Sequence, residues 1–230
     1  MTLPVIAIDG PAGSGKSTTA RAVADRLGVP FLETGALYRA LTLAALDAGT
    51  ELTGQRLVAL ARSSPVRFAL TNEGVRPDVA GVDVSASIRA DRVTRLVSQV
   101  SAIPEVRSWV NQLVRTLVAE FHAGVVLEGR DIGTVVFPDA VLKIFLTADP
   151  AARAERRLRQ DAKLVDPAAI ARETAALRAR DDADSSRAVA PLRQAADAVV
   201  IDTSALTFED QVECIVRYAR NALEFTRPRG

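Results

Sequence analysis

The chain has 230 residues, 48% hydrophobic and 25% charged, with a formal net charge of +1. That is the composition of an ordinary globular protein, large enough for one domain with appendages, and it excludes a bulk electrostatic pull toward nucleic acid or a membrane surface. A single cysteine, Cys214, excludes an internal disulfide and a cysteine-rich metal site, and a single histidine, His122, leaves one carrier for histidine-based chemistry.

The N-terminal stretch MTLPVIAIDG enters a strand at once, with no basic segment ahead of it. Its apolar run, residues 5–9, ends at Gly10. Residues 17–27 have helical spacing and stop at Gly28. Residues 31–32 are a second short strand, and residues 35–48 a helix stopping at Gly49. The rhythm then breaks. Residues 63–103 form a β-rich insertion, with strands expected at 66–70 and 79–84. Strands follow at 125–127, 142–146 and 199–201, with helices at 150–160, 167–180 and 208–225. Strands alternating with helices mean a parallel sheet covered on both faces. No apolar run approaches the ~20 residues that span a membrane, so a reducing cytoplasm is the expected compartment. His122 precedes Ala123-Gly124 and reads as a helix-terminus residue rather than a base.

Gly10-Pro11-Ala12-Gly13-Ser14-Gly15-Lys16-Ser17 satisfies G-x-x-x-x-G-K-[ST], directly after a strand and opening a helix. Glycines let the backbone curl its N–H groups onto phosphate oxygens. The helix start adds a positive dipole end. Lys16 reaches the β- and γ-phosphates of a nucleoside triphosphate, and Ser17 offers its hydroxyl to Mg²⁺. The guanine-reading N-K-x-D of switch GTPases is absent, and Asp78-Val79-Ala80-Gly81 lies in the insertion rather than after a core strand. A small-molecule kinase needs a second anion site beyond the carboxyl ends of the strands. Glu33-Thr34-Gly35-Ala36-Leu37-Tyr38-Arg39 and Glu128-Gly129-Arg130-Asp131 stand there.

Each of these clusters also has a plainer reading. Thr34 can be a helix cap, Arg39 a solvated helix residue, and Arg130 with Asp131 a salt bridge at a strand end. Arg153, Arg156 and Arg157 share a helix face by i, i+3, i+4 spacing, and Arg180, Asp181, Asp184 and Arg187 follow the next helix. Such charge-rich stretches also suit solvated faces. Only three lysines occur, at 16, 143 and 163, so arginine carries most of the positive charge. Base composition of the gene, or a preference for forked anion binding, explains that bias.

Taken together, IAIDGPAGSGKST, TGALYRA, DVSASIR followed by VSQVSAIPEVR, EGRDIGTVVFPDAVLKIFLTA, RDDADSSRAVAPL and ADAVVIDTS resemble the bacterial cytidylate kinase family over almost the whole chain. The resemblance implies a P-loop kinase fold: a five-stranded parallel sheet between helices, a β-rich monophosphate-binding insertion, and a lid. The core would be residues 1–62, 104–158 and 168–230, the CMP-binding insertion 63–103 and the short lid loop 159–167. It implies transfer of the γ-phosphoryl group of ATP to CMP or dCMP with Mg²⁺, by a monomer that binds neither nucleic acid nor membrane. Gly10, Pro11, Ala12, Gly13, Ser14, Gly15, Lys16, Ser17 and Thr18 would bind the ATP phosphates. Arg153, Arg156 and Arg157 would belong to the lid over ATP. Thr34 would lie near the acceptor nucleoside, and Arg39 and Arg130 would hold its phosphate. Ser98, Arg107 and Asp131 would read cytosine. Asp184 would contact ribose with Arg180 nearby, and Arg187 would sit on the phosphates being joined. The chain departs from the family in having Glu at 33 and 128, where Asp is frequent, so Asp9, Glu33 and Glu128 all stand as supports for the Mg²⁺ waters. A kinase for another acceptor such as UMP, or a nucleotide-dependent switch without transfer, are the competing readings.

Overall fold

The computed structural model describes residues 4–71, 74–121 and 123–226, so the reading of His122 lies outside the described residues. In chain order the strands and α-helices are β1 (Val5–Asp9), α1 (Lys16–Leu27), β2 (Phe31–Glu33), α2 (Gly35–Asp47), α3 (Gly54–Ser63), β3 (Val66–Thr71), β4 (Gly74–Val79), β5 (Val82–Asp83), α4 (Asp91–Ala102), α5 (Pro104–Val118), β6 (Val125–Gly129), β7 (Leu142–Thr147), α6 (Pro150–Gln160), α7 (Pro167–Ser185), β8 (Val199–Asp202) and α8 (Phe208–Thr226). Five strands form one sheet in the order β2-β6-β1-β7-β8, flanked by helices, and β3-β4-β5 form a second, small sheet. The chain divides into two compact units, one of residues 1–29 and 123–230, the other of residues 30–122.

In the first unit β1 is central, parallel to β6 on one side and to β7 on the other. All five residues of β1 and of β6 are buried. Strands covered on both faces read as continuous apolar runs rather than alternating ones, which is how VIAID and VVLEG read. β8 pairs with β7, parallel, through Ile144 to Val199 and the residues after them. The register sets Asp9 against Gly129 and Phe145, so β1 and β6 end level while β7 runs two residues further. The loop after β1 and the Glu128–Asp131 segment therefore emerge from one edge.

Helix α7 runs to Ser185, five residues past its expected end, so Arg180, Asp181 and Asp184 lie on the helix rather than after it. Its buried residues are Ala169, Leu177 and Asp184. The stripe is helical, but it closes on a carboxylate, and a search for apolar periodicity stops at leucine. Asp166 caps the helix by accepting the N–H of Ala169 at 2.7 Å, and Asp149 caps α6 through Ala151 and Ala152.

In the second unit α2 carries Leu37 and Leu41, fully buried, and α4 and α5 contribute Val93, Val97, Val100, Val106 and Val110. The β-rich reading of residues 63–103 needs correction at two places. The second strand is β4, earlier than residues 79–84, which instead hold the Ala80-Gly81 turn and the two-residue β5. Pro77 sits inside β4, opposite Phe68 of β3, and its carbonyl accepts the Val84 N–H at 3.1 Å, so its missing N–H faces away from β3 and takes no bond from that pairing. Residues 91–102 of the segment form the helix α4, so the β-rich part ends well before residue 103.

Candidate active site

Close approach of backbone to backbone shapes the loop after β1. A Cβ on Gly10 would lie 2.1 Å from the Leu146 carbonyl oxygen, so only glycine fits. Gly13 and Gly15 have φ of +73° and +83°, the left-handed region. Gly15 is the N-cap of α1. The loop's carbonyls are drawn into internal bonds. Lys16 Nζ donates to Pro11 O at 2.6 Å, and Ser14 Oγ donates to the same oxygen at 3.1 Å. Arg153 donates to Ala12 O at 2.7 Å. Thr18 and Thr19 hydroxyls both donate to Gly15 O, and Gln211 of α8 donates to Thr19 Oγ1. With carbonyls so engaged and α1 starting at Lys16, the loop has the form of an anion cradle.

Two carboxylates meet this loop differently. Glu128, 4% exposed at the end of β6, accepts the Ser17 hydroxyl at 3.1 Å. Asp9 turns the other way, accepting the backbone N–H groups of Ile132 and Gly133 at 2.9 and 2.8 Å. It holds the single π-type turn Ile132–Val136 that follows Asp131, a turn type often found at functional sites. Asp131 is itself buried. The third candidate, Glu33, lies in the second unit and pairs with Arg89 at 2.7 Å. Of the three carboxylates, Glu128 is the one that touches Ser17.

The arginines are organised by α7. Arg130 pairs with Asp184 rather than with its neighbour Asp131: its Nε donates to Asp184 Oδ2 at 2.9 Å, and its NH1 reaches Gly129 O at 3.3 Å. Arg187 donates to Asp184 O at 3.1 Å and lies 3.7 Å from its carboxylate. Asp184 thus stands between the two arginines. Three of the four α6 arginines reach other elements of the protein, and Arg159 pairs with Glu155 within the helix. Arg153 is buried on Ala12 and Asp181. Arg156 donates to the Thr203 hydroxyl at 3.0 Å and to Thr203 O at 2.5 Å. Arg157 pairs with Glu173 of α7 at 3.1 Å. Asp181, given no role from sequence, accepts the Ala12 N–H at 2.8 Å. A helix read through Ser185 would have put Leu177, Asp181 and Asp184 on one face at i, i+4, i+7.

Burial and neighbours shape the charges here. Lys16 is pulled down to about 7, first by burial, then by the Arg130 guanidinium, with Glu128 opposing and Arg180 adding to the fall. Burial pushes the Asp9 carboxyl up to about 6, against the pull of the Gly133 and Ile132 N–H groups. Burial also opposes the charge on Arg130, but the Asp184 and Glu128 carboxylates outweigh it and hold that group above its ordinary value. A lysine that yields its proton near neutrality because it is buried, with arginines adding to the fall, marks a site short of negative charge.

The second unit gathers its own polar groups. Arg39 NH1 donates to Ile88 O at 3.1 Å and to the Thr94 hydroxyl at 3.0 Å. Arg107, 2% exposed, donates to Ser101 O at 3.0 Å and lies 5.5 Å from the Tyr38 ring centre, a cation–π distance. The Ser101 hydroxyl in turn donates to the carbonyl of Ser98. Thr34 is buried at the N-terminus of α2 and makes no side-chain cap there. The helical corner of α4 and α5 therefore holds Ser98 and Arg107, and α2 holds Arg39 and Tyr38.

Fold and loop define a P-loop nucleotide-binding protein. The cytidylate kinase profile matches residues 6–221. Proteins named cytidylate kinase are 46% identical in Streptomyces avermitilis over 92% of this chain and 90% of theirs, and 43% identical in Escherichia coli over 96% of both. The chain belongs to the cytidylate kinase family. An uncharacterised protein from Eubacterium ventriosum has the same fold, with a TM-score of 0.51 at 12% identity, over 94% of this chain and 98% of that one. Among the described residues no helix is long and apolar enough to cross a membrane.

Proposed function

We propose that the chain transfers the γ-phosphoryl group of ATP to CMP or dCMP, giving ADP and CDP or dCDP. The observation that carries this is the phosphate loop with buried Lys16 set near the half-buried Arg130 and Arg180, whose charges add to burial in driving it down to about 7. Such a site gains most from polyanions, and two phosphate groups brought together are that kind of ligand.

The acceptor phosphate is already anionic at neutral pH and needs no general base. Catalysis is then positioning and charge neutralisation. The curled N–H groups of residues 13–18 hold the β-phosphate. Lys16 leaves the Pro11 carbonyl for the transferring phosphoryl, and Arg130 and Arg187, steadied by Asp184, meet the charge on either side of it. In this reading Arg39 and Arg130 bind the acceptor phosphate, Ser98, Arg107 and Asp131 the base, and Thr34, Arg180 and Asp184 the nucleoside. Arg156 and Arg157 take the ATP side. Mg²⁺ bound with ATP would neutralise phosphate charge and orient the oxygens. Ser17 and Glu128 fit it, a hydroxyl ligand beside a buried carboxylate. Among the described residues no cluster of three His, Cys, Asp or Glu could hold a metal by itself, and nucleotide and water would supply the remaining ligands.

An ADP-release assay with CMP, dCMP, UMP and AMP tests the proposal. Turnover with CMP or dCMP well above UMP and AMP is the expected result. UMP as the best acceptor, or ATP binding without transfer to any of the four, would overturn it.

A further inference from the structure

The peptide groups of Ala12 are held by two side chains that also hold each other. Asp181 Oδ1 accepts the Ala12 N–H at 2.8 Å, and Arg153 NH1 donates to the Ala12 carbonyl at 2.7 Å. The same Arg153 nitrogen donates to Asp181 Oδ2 at 2.5 Å. The result is a closed ring of three hydrogen bonds. Beneath it, a Cβ on Gly13 would meet the Arg153 Cβ and the Leu177 Cδ1 at 3.4 Å. Ala12 packs with Ala154 and Leu177.

This pair is costly to keep. Arg153 is 5% exposed, and its Nε is buried with no hydrogen-bond partner. Alanine and leucine surround the ring, and an apolar pair of similar volume often holds such a place at least as well as buried ions. What ions add is direction. They fix both the N–H and the C=O of one peptide residue, which apolar contacts cannot do. That residue lies within the phosphate loop, two positions after Gly10. The two side chains come from α6 and α7, the helices joined by residues 161–166.

We infer that Arg153 and Asp181 are positioning residues: they set the backbone of the phosphate loop at Ala12 and tie its shape to the α6–α7 hairpin. Arg153 then acts on ATP through the loop and not by touching the nucleotide. This rests on reading the loop as a triphosphate site, though not on CMP as acceptor.

The test is direct calorimetric binding of ATP without acceptor, together with steady-state kinetics well below the melting temperature. Arg153→Met is expected to weaken ATP binding about tenfold, roughly the loss of one charge-assisted hydrogen bond, with KM for CMP within about twofold. One nitrogen makes both Arg153 bonds, so an ammonium can replace it, and Arg153→Lys is expected to recover most of the loss. Asp181→Asn sets an amide donor against either the Ala12 N–H or Arg153 and should match Arg153→Met. The double variant should be no worse than either single one, since groups acting as a unit are not additive. A lower melting temperature with ATP affinity unchanged in folded Arg153→Met would overturn the inference. If that variant does not fold, unchanged ATP affinity in Asp181→Asn would overturn it equally. A parent that binds ATP but ignores CMP refutes the proposed reaction and leaves this test intact.

Discussion

Ser17 and Glu128 meet at 3.1 Å although 111 residues separate them in the chain. Ser17 lies in the first turn of α1, Glu128 one residue before the end of β6, and the parallel pairing of β1 with β6 brings the two elements together. The hydroxyl donates to the carboxylate, and in the proposed reaction a cation arriving with its nucleotide would meet an oxygen pair already assembled.

Glu128→Gln keeps the shape of that pair and removes its charge. We expect kcat to fall about ten- to a hundredfold, the usual effect of changing a group just outside a metal's own ligands. The Mg²⁺ concentration for half-maximal rate should rise. A Mg²⁺ titration of initial rates at saturating substrates checks this, and identical curves for parent and variant would reduce the contact to a structural strap.

Lys16 makes a prediction about protons. In the free enzyme it titrates near 7. A bound triphosphate supplies the missing negative charge and raises that value, so the complex holds the proton that the free enzyme has lost. At pH 8, ATP binding should therefore take up most of a proton from the buffer, about 0.9 for a group titrating near 7. Calorimetry in two buffers of different ionisation heat measures it. The uptake should shrink as pH falls below 7 and vanish in Lys16→Met.

Asp184→Asn loosens Arg130 and Arg187 together. The expected loss in kcat/KM for CMP is at least about tenfold, or about 1.4 kcal/mol. If the role of Asp184 is to hold arginines, adding Asp184→Asn to Arg130→Met should cost less than it does in the parent. Equal cost in both backgrounds would separate Asp184 from Arg130.

Asp131→Asn probes base choice. A carboxylate accepts from the cytosine amino group and repels the uracil carbonyl at the same position, and one base-edge contact discriminates by about 1–3 kcal/mol. The CMP:UMP ratio of kcat/KM should fall by roughly tenfold or more. An unchanged ratio would leave Asp131 with no part in reading the base.

The parts legible in sequence are those whose physics is local. The loop from Gly10 to Ser17 is readable because its glycines, lysine and hydroxyl sit at fixed spacing between a strand and a helix. β1 and α6 fall where β-branched runs and a Pro-led helix start put them. What escapes are partnerships across the chain. Nothing near Asp9 says that it will bind N–H groups 123 and 124 residues on, and nothing near Ala12 points to Asp181. The end of α7 escapes for another reason, since Asp184 occupies a buried place that a pattern search reserves for leucine. Charge patterns show which residues could bind anions. They do not show that Arg153, Arg156 and Arg157 have carbonyl or carboxylate partners within the protein.

The central place of β1 bears on how the chain is made. It leaves the ribosome ahead of the other strands, yet the neighbours that cover its two edges are residues 125–129 and 142–147. Synthesis must pass Thr147 before β1 has its parallel partner on each side. The unit of residues 30–122 is by then complete, and domains fold as units during translation. Until residues 125–147 have been made, the nascent chain therefore carries its phosphate loop on an apolar strand that lacks these two partners, which is the interval when a chaperone has most to shield.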